Sequence, residues 1–195
     1  MTYKRDPDHF SRKAKKEGFA ARSIYKLEEI DRRIRLLRPG LRVLDLGAAP
    51  GSWTQYAGPK IGARGRIVAV DLNPLRVAIG PQLKAIQMDV FKASLDDFRA
   101  LGPFDVVLSD MAPHTSGIRD ADVARSCELV ERALEIAGAV LVPGGKFLAK
   151  IFQGDGFEEV RAHMRVMFDE VRILKPEASK RESTEIYLAG IGRKP

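Results

Sequence analysis

Residues 43–53, VLDLGAAPGSW, limit what this chain can fold into more than any other stretch. An apolar run ends in Asp45. Gly47, Ala48, Ala49, Pro50 and Gly51 then reverse the chain, and Ser52 suits a helix start. A buried strand that hands over to a helix through such small residues leaves bare backbone at the turn. In a parallel sheet this turn lies at the carboxyl ends of the strands, where a nucleotide-like ligand can come close. The expectation is a βα turn holding an adenosine-containing cofactor.

The rest of the chain reads as an alternation of strands and helices. Residues 22–37 form an amphipathic helix with Ile24, Leu27, Ile30, Ile34 and Leu37 at helical spacing, ended by Pro39-Gly40. Strands are predicted over 42–46, 66–70, 83–88, 105–109 and 146–152, and helices from about Ser52, over 121–142 and over 157–167. Two late apolar runs, 170–174 and 185–191, are joined without room for a helix, which predicts a terminal hairpin with one antiparallel strand. Alternation of this kind predicts an α/β, doubly wound sandwich.

With 195 residues, 45% of them hydrophobic and 30% charged, the chain suits a soluble protein with one sizeable core. No apolar run is long enough to cross a membrane, and the start MTYKRDPDHF lacks the apolar core of a secretory signal. The lone Cys127 excludes an internal disulfide framework and suits a cytoplasmic location. The three His and one Cys have no metal-ligand spacing, so no metal is expected. The net charge of +7 favours a polyanionic partner. Cations crowd the beginning of the chain, among them Arg12, Lys13, Lys15, Lys16 and Arg22, interleaved with Tyr3, Phe10, Phe19 and Tyr25. Residues 1–21 read as a basic arm and residues 22–195 as a single domain.

Four acids tip predicted strands: Asp45, Asp71, Asp89 and Asp110. Each alone could be a helix N-cap; together they mark one sheet edge as a site. Asp71, twenty residues after Gly51, suits ribose hydroxyls. Asp89 suits an adenine amino group, with Met88 as an apolar wall. In SDMAP, Asp110 leaves the strand predicted over 105–109 and Pro113 forces an extended path. Lys150 ends a buried strand, where an ammonium needs a partner or a shifted pKa, unless it snorkels to the surface. Lys26 on the first helix and Glu185 at the last strand could equally be solvated charges.

Taken together, ARSIYKLEEID, DLGAAPGSW, LSDMAP, KIFQG and KPEASKRESTEIY resemble, in order and spacing, the FtsJ/RrmJ (RlmE-type) ribosomal RNA 2′-O-methyltransferases. The resemblance runs from about residue 10 to the end. One departure is Ser52, where that family often has a second glycine. The resemblance implies a Rossmann-like methyltransferase sandwich with a seven-stranded, mostly parallel sheet and an antiparallel terminal strand. It implies S-adenosyl-L-methionine (SAM) as cofactor, with Gly51, Trp53, Asp71, Asp89 and Asp110 as its contacts. It also implies a catalytic tetrad of Lys26, Asp110, Lys150 and Glu185, in which Lys150 either takes the proton or steadies the alkoxide. The implied substrate is a uridine ribose of large-subunit (23S) rRNA, met as free RNA or in the large ribosomal subunit by a monomeric cytoplasmic enzyme. Arg12, Lys13, Lys15, Lys16, Arg22, Lys180 and Arg181 are candidate phosphate contacts. A non-catalytic RNA-binding assembly factor and an NAD-dependent dehydrogenase are the competing readings.

Overall fold

The computed structural model describes residues 9–77, 80–179 and 183–195. The chain runs α1 (His9–Lys16), α2 (Ser23–Ile34), β1 (Arg42–Leu46), α3 (Ser52–Ile61), β2 (Arg66–Asp71), β3 (Leu83–Gln87), α4 (Leu95–Arg99) and β4 (Phe104–Ser109). It continues through α5 (Arg119–Val140), β5 (Leu141–Phe152), α6 (Phe157–Met167), β6 (Phe168–Leu174) and β7 (Glu185–Arg193). The sheet order is β3-β2-β1-β4-β5-β7-β6. β1 to β5 pair in parallel, and β7 runs antiparallel to both neighbours. The terminal strand is therefore antiparallel as expected, but it inserts between β5 and β6 and does not form the edge.

Parallel strands are covered on both faces, which explains their almost unbroken apolar runs. One face packs Leu44, Val68, Val107, Phe147 and Ile151 against α5 and α6. The other packs Val43, Ile67, Leu108 and Leu148 against α2 and α3 through Leu27, Ile30, Trp53 and Ile61. Alternate residues of a strand point to opposite faces, so Lys146, Leu148 and Lys150 all face α2.

Four differences from the sequence reading have physical causes. The segment read as a basic arm includes α1, whose Ala14 is buried against Tyr25 and Ala178, with Phe10 and Phe19 packed around them; residues 1–8 lie outside the described residues. α2 stops at Ile34 because Arg35 adopts the left-handed conformation, φ 48° and ψ 57°, although the apolar spacing continues through Leu36 and Leu37. α4 is too short to show a period; Ser94 and Asp97 close a capping box around it and Phe98 anchors it in the core. Finally, Phe104 pairs with Leu141 and Val106 with Lys146, so the segment around Pro143-Gly144-Gly145 bulges out of β5 and does not precede it.

Gly190 of β7 lies under the Phe168 ring, which stacks on Phe147 at a centroid distance of 6.0 Å. A Cβ at Gly190 would stand 2.5 Å from Phe168 Cδ2. Gly190→Ala is expected to destabilise the protein by about 1–3 kcal/mol through overpacking, read as a lower urea midpoint at unchanged slope. An unchanged midpoint would mean that the ring yields freely.

Candidate active site

The order β4-β5-β7 decides which side chains meet at the carboxyl rim. Asp110 follows β4, Lys150 lies near the end of β5, and β7 begins at the same rim because it runs the other way, with Tyr187 opposite Lys150 and Glu185 opposite Phe152. α2 starts beside them and brings Lys26. Lys150 Nζ donates to Asp110 Oδ1 at 3.0 Å and to the Asp110 carbonyl at 2.6 Å. Lys26 Nζ donates to Glu185 Oε1 at 2.5 Å. The Tyr187 hydroxyl lies between the two acids, 3.4 Å from Asp110 Oδ1 and 3.2 Å from Glu185 Oε1. Its one proton serves one of them at a time. Ser179 Oγ donates to Glu185 Oε1 at 3.1 Å. All four expected tetrad residues thus share one network, and both amines are nearly buried, at 6% and 9% exposure for Lys26 and Lys150.

Burial alone would raise the Glu185 carboxyl. The Lys26 ammonium above all, then Lys150 and the Ser179 hydroxyl, hold it below the usual carboxylate range. Burial, and then the charges of Asp110 and Glu185, push the Tyr187 phenol well above its ordinary value, so it remains a proton donor. Tyr187 and Ser179 were not singled out from sequence. An aromatic on a strand reads as core, and only the register across β5 reveals where its hydroxyl points.

A groove of about 310 Å³ runs along the same rim over β1, β2 and β4. Asp71, Asp89 and Asp110 line it, with Gly47, Met88 and Leu72. Asp71 Oδ2 accepts from Ala49 N at 2.9 Å and Oδ1 from Asn73 N at 2.7 Å, which ties the tip of β2 to the small-residue turn. Asp89 Oδ1 accepts from Phe91 N at 3.0 Å. Asp110 also lines a smaller chamber of about 40 Å³ with Ser23, Pro50, Ser52 and Trp53, so it joins the groove to the tetrad.

The glycines of GAAPG have different tasks. Gly47, φ 72°, lines the groove, and a Cβ there would lie 2.6 Å from Met111 Cγ and 2.8 Å from Met111 N. Gly51, φ 120°, is absent from the groove lining; a Cβ there would meet Val77 Cγ2 at 2.2 Å, so its lack of a side chain lets the chain after β2 cross the turn. Trp53 is buried behind the groove. Its ring N–H donates to the Ser23 carbonyl at 3.0 Å and its ring lies 5.8 Å from that of Tyr187. It fixes the start of α2 against β7, and so sets Lys26 relative to Glu185.

The basic segment continues from this rim. Gln55 holds it, accepting from Ala20 N at 2.8 Å, and Lys13 lies 4.4 Å over the Tyr25 ring. Lys180 and Arg181 lie outside the described residues. Among the described residues no three His, Cys, Asp or Glu gather as a metal ion requires, and no helix is long and apolar enough to cross a membrane.

Comparison with known proteins follows this geometry. The profile of the FtsJ-like methyltransferases matches residues 19–193. The chain is 53% identical over 192 residues to "Ribosomal RNA large subunit methyltransferase E" of Sorangium cellulosum, covering 98% of this chain and 90% of that one. It is 47% identical to the protein of the same name from Bdellovibrio bacteriovorus, covering both chains completely. Among solved structures it resembles a ribosomal RNA methyltransferase from Plasmodium falciparum, with a TM-score of 0.79 and 25% identity over 90% of this chain and 98% of that one. A likeness of fold alone extends to Aeropyrum pernix fibrillarin, solved with bound SAM, with a TM-score of 0.58 and 18% identity over 80% and 68% of the two chains.

Asp45, the fourth strand-end acid, is fully buried behind the rim. Thr54 Oγ1 donates to its Oδ2 at 2.6 Å, and Oδ1 has no partner among the described residues. Burial, partly offset by Thr54 and reinforced by Asp110 and Asp71, pushes its carboxyl up to about 7. A raised acid keeps its proton in the folded state while the unfolded chain has lost it. Its contribution is therefore full below about pH 4 and is lost as pH rises towards 7. Asp45→Asn is expected to flatten the fall in stability across this window, by an amount on the order of 4 kcal/mol at most. Parallel urea titrations from pH 4 to 8 check this; identical profiles for both proteins would refute it.

Proposed function

The chain belongs to the FtsJ-like methyltransferase family, and on that premise we propose that it methylates the 2′-hydroxyl of a ribose, a uridine ribose by family resemblance, in large-subunit (23S) rRNA of the cytoplasm. The observation that carries this reading is the position of Asp110. It belongs both to the wall of the cofactor groove and to the paired amines and carboxylates, so a methyl donor and a hydroxyl would meet there.

The residues of the groove fit SAM. Gly47 lines the groove with bare backbone, the chamber beside Asp110 is lined by Ser52, whose buried Oγ has no partner among the described residues, and Asp71 and Asp89 offer acceptors for ribose and adenine donors. When bound, SAM supplies an electrophilic methyl group on a sulfonium. Asp110 then contributes negative charge beside that positive centre.

Lys150 acts on the hydroxyl. Two of its N–H groups are directed to Asp110, which leaves one tetrahedral position free. In an ammonium that position is a donor that steadies an oxyanion. In an amine it is a lone pair that accepts the hydroxyl proton. Lys26, Glu185 and Tyr187 act through Lys150 and Asp110: Lys26 neutralises Glu185, and Tyr187 spans the two acids. Orientation of the hydroxyl by this fixed frame supplies a further part of the rate.

Incubation of the protein with radiolabelled SAM and large ribosomal subunits from methylation-deficient cells, followed by nuclease mapping, tests the reading. Label on a base, or none on the large-subunit RNA, would overturn it. Lys150→Ala is expected to lower methyl transfer about 10²–10⁴-fold while the Kd for SAM stays within about three-fold. Gly47→Ala is expected to do the reverse in origin, weakening SAM binding about ten-fold or more because the backbone of Met111 blocks the added Cβ. Isothermal titration with SAM separates the two.

A further inference from the structure

At the opposite rim of the sheet, a cleft of about 530 Å³ opens between the end of α2 and the bulge of β5. Its cations are Arg35, Arg38 and Lys146. The geometry points to a second RNA contact: this cleft holds a backbone phosphate of the same RNA whose ribose reaches Lys150. The inference rests on the proposed RNA substrate and adds where else that substrate is gripped.

Three observations carry it. First, positive charge is in excess: Arg35, Arg38, Arg42 and Lys146 face two carboxylates, Asp105 and Asp31. The acid in the cleft wall, Asp105, is already taken by Arg42, whose Nε and Nη2 each donate at 2.9 Å and whose backbone N donates at 2.8 Å. Asp31, behind the wall, accepts from Leu37 N at 2.8 Å and from Tyr56 OH at 2.9 Å; these neutral donors do not cancel its charge, which offsets that of Lys146 and leaves the two arginines as the excess. Arg172 on β6 is paired with Glu170. Among the described residues Arg35 and Arg38 are exposed and form no ion pair.

Second, the plain alternative is already satisfied. Cations commonly gather at a helix carboxyl end to neutralise its dipole and bind its last carbonyls. At α2 this is done by Lys146, whose Nζ donates to the Ile34 carbonyl at 3.2 Å and to the Arg35 carbonyl at 2.7 Å. The two arginines are surplus to that task.

Third, Arg35 stands where a side chain is disfavoured. Its φ of 48° is the one positive value at a non-glycine residue among those described. Glycine or asparagine would cap α2 without that penalty, which is about 1–2 kcal/mol. A long cation kept at a strained position, on the lip of a cationic cleft, points to a task for the guanidinium.

The ligand follows from the chemistry. Guanidinium groups match phosphate oxygens in a two-pronged geometry. Lys146 and Lys150 lie four residues apart on one face of β5, about 13 Å at the usual strand rise. A nucleotide strand passing over the outside of α2 presents its target ribose at one rim and a phosphate at the other.

The test uses Arg35→Gly with Arg38→Gln. Glycine keeps the left-handed cap, so the double variant removes charge without disturbing α2. Filter binding of large-subunit rRNA at several salt concentrations is expected to show an affinity about ten-fold weaker at 0.15 M salt. The slope of log affinity on log salt should fall by about one to two. In turnover assays KM for RNA should rise while kcat at saturating RNA and the Kd for SAM hold, and Arg35→Gly with Arg38→Lys should recover part of the loss. Unchanged RNA affinity and salt slope would overturn the inference. A melting-temperature rise with inorganic phosphate that is lost in the double variant, alongside unchanged RNA binding, would overturn it too, assigning the cleft to a free anion. Failure of the function reading is distinct: wild-type protein would leave large-subunit RNA unlabelled, whereas the filter-binding result needs no turnover.

Discussion

The contact between Lys150 and Asp110 organises this molecule. A nearly buried ammonium costs several kcal/mol in desolvation unless a counter-charge and hydrogen bonds meet it. Asp110 answers with both a carboxylate oxygen and its own carbonyl. Removing either partner would leave a buried charge uncompensated, which typically costs about 3–5 kcal/mol. The contact exists because β4 and β5 are neighbours in register, with Ser109 beside Ala149. Sheet order thus sets the chemistry before any side chain is chosen.

The insertion of β7 completes the arrangement. A parallel strand beside β5 would begin at the far rim. Antiparallel β7 instead begins at the carboxyl rim of β1 to β5, and so delivers Glu185 and Tyr187 within two residues of its start. Glu185 then meets Lys26 from α2, a partner 159 positions away in sequence. Packing across the α2 face holds that long-range pair: Trp53 bonds to Ser23 and stacks near Tyr187, so helix, turn and strand share one aromatic joint. Two ammonium and two carboxylate groups then balance within a single hydrogen-bonded network, which is how so many ionisable groups remain in an otherwise apolar interior.

Much of this was legible in the sequence because it rests on local signals. The first strand, 42–46, and the helix over 157–167 match residue for residue, since apolar periodicity, a preceding turn and clear stops coincide there. The four tetrad positions came from the family resemblance that the motifs carry; taken singly, Lys26 and Glu185 read as solvated charges. What sequence could not give depends on close approach between distant segments. Gly47 and Gly51 look equivalent in GAAPG; each lies against a distant segment, Met111 for one and Val77 for the other, and only the groove lining, which includes Gly47 and not Gly51, separates them. The end of α2 was misplaced because Leu36 and Leu37 keep the helical spacing while Arg35 alone breaks the backbone. The bulge in β5 reads as a simple turn until its pairing with β4 is known.

The four strand-end acids show how far residue type falls short of role. They share a sequence context, an apolar strand followed by a turn, yet each takes its character from what faces it. Asp45 faces Thr54 and apolar packing, so its charged form is disfavoured. Asp71 faces the backbone of the turn and is held as an acceptor by Ala49 and Asn73. Asp89 caps its own loop at Phe91. Asp110 alone faces an ammonium on the neighbouring strand and the phenol of β7. The same carboxylate becomes a buried acid, a turn clasp, a loop cap or the counter-ion of Lys150 according to the position of its strand in the sheet.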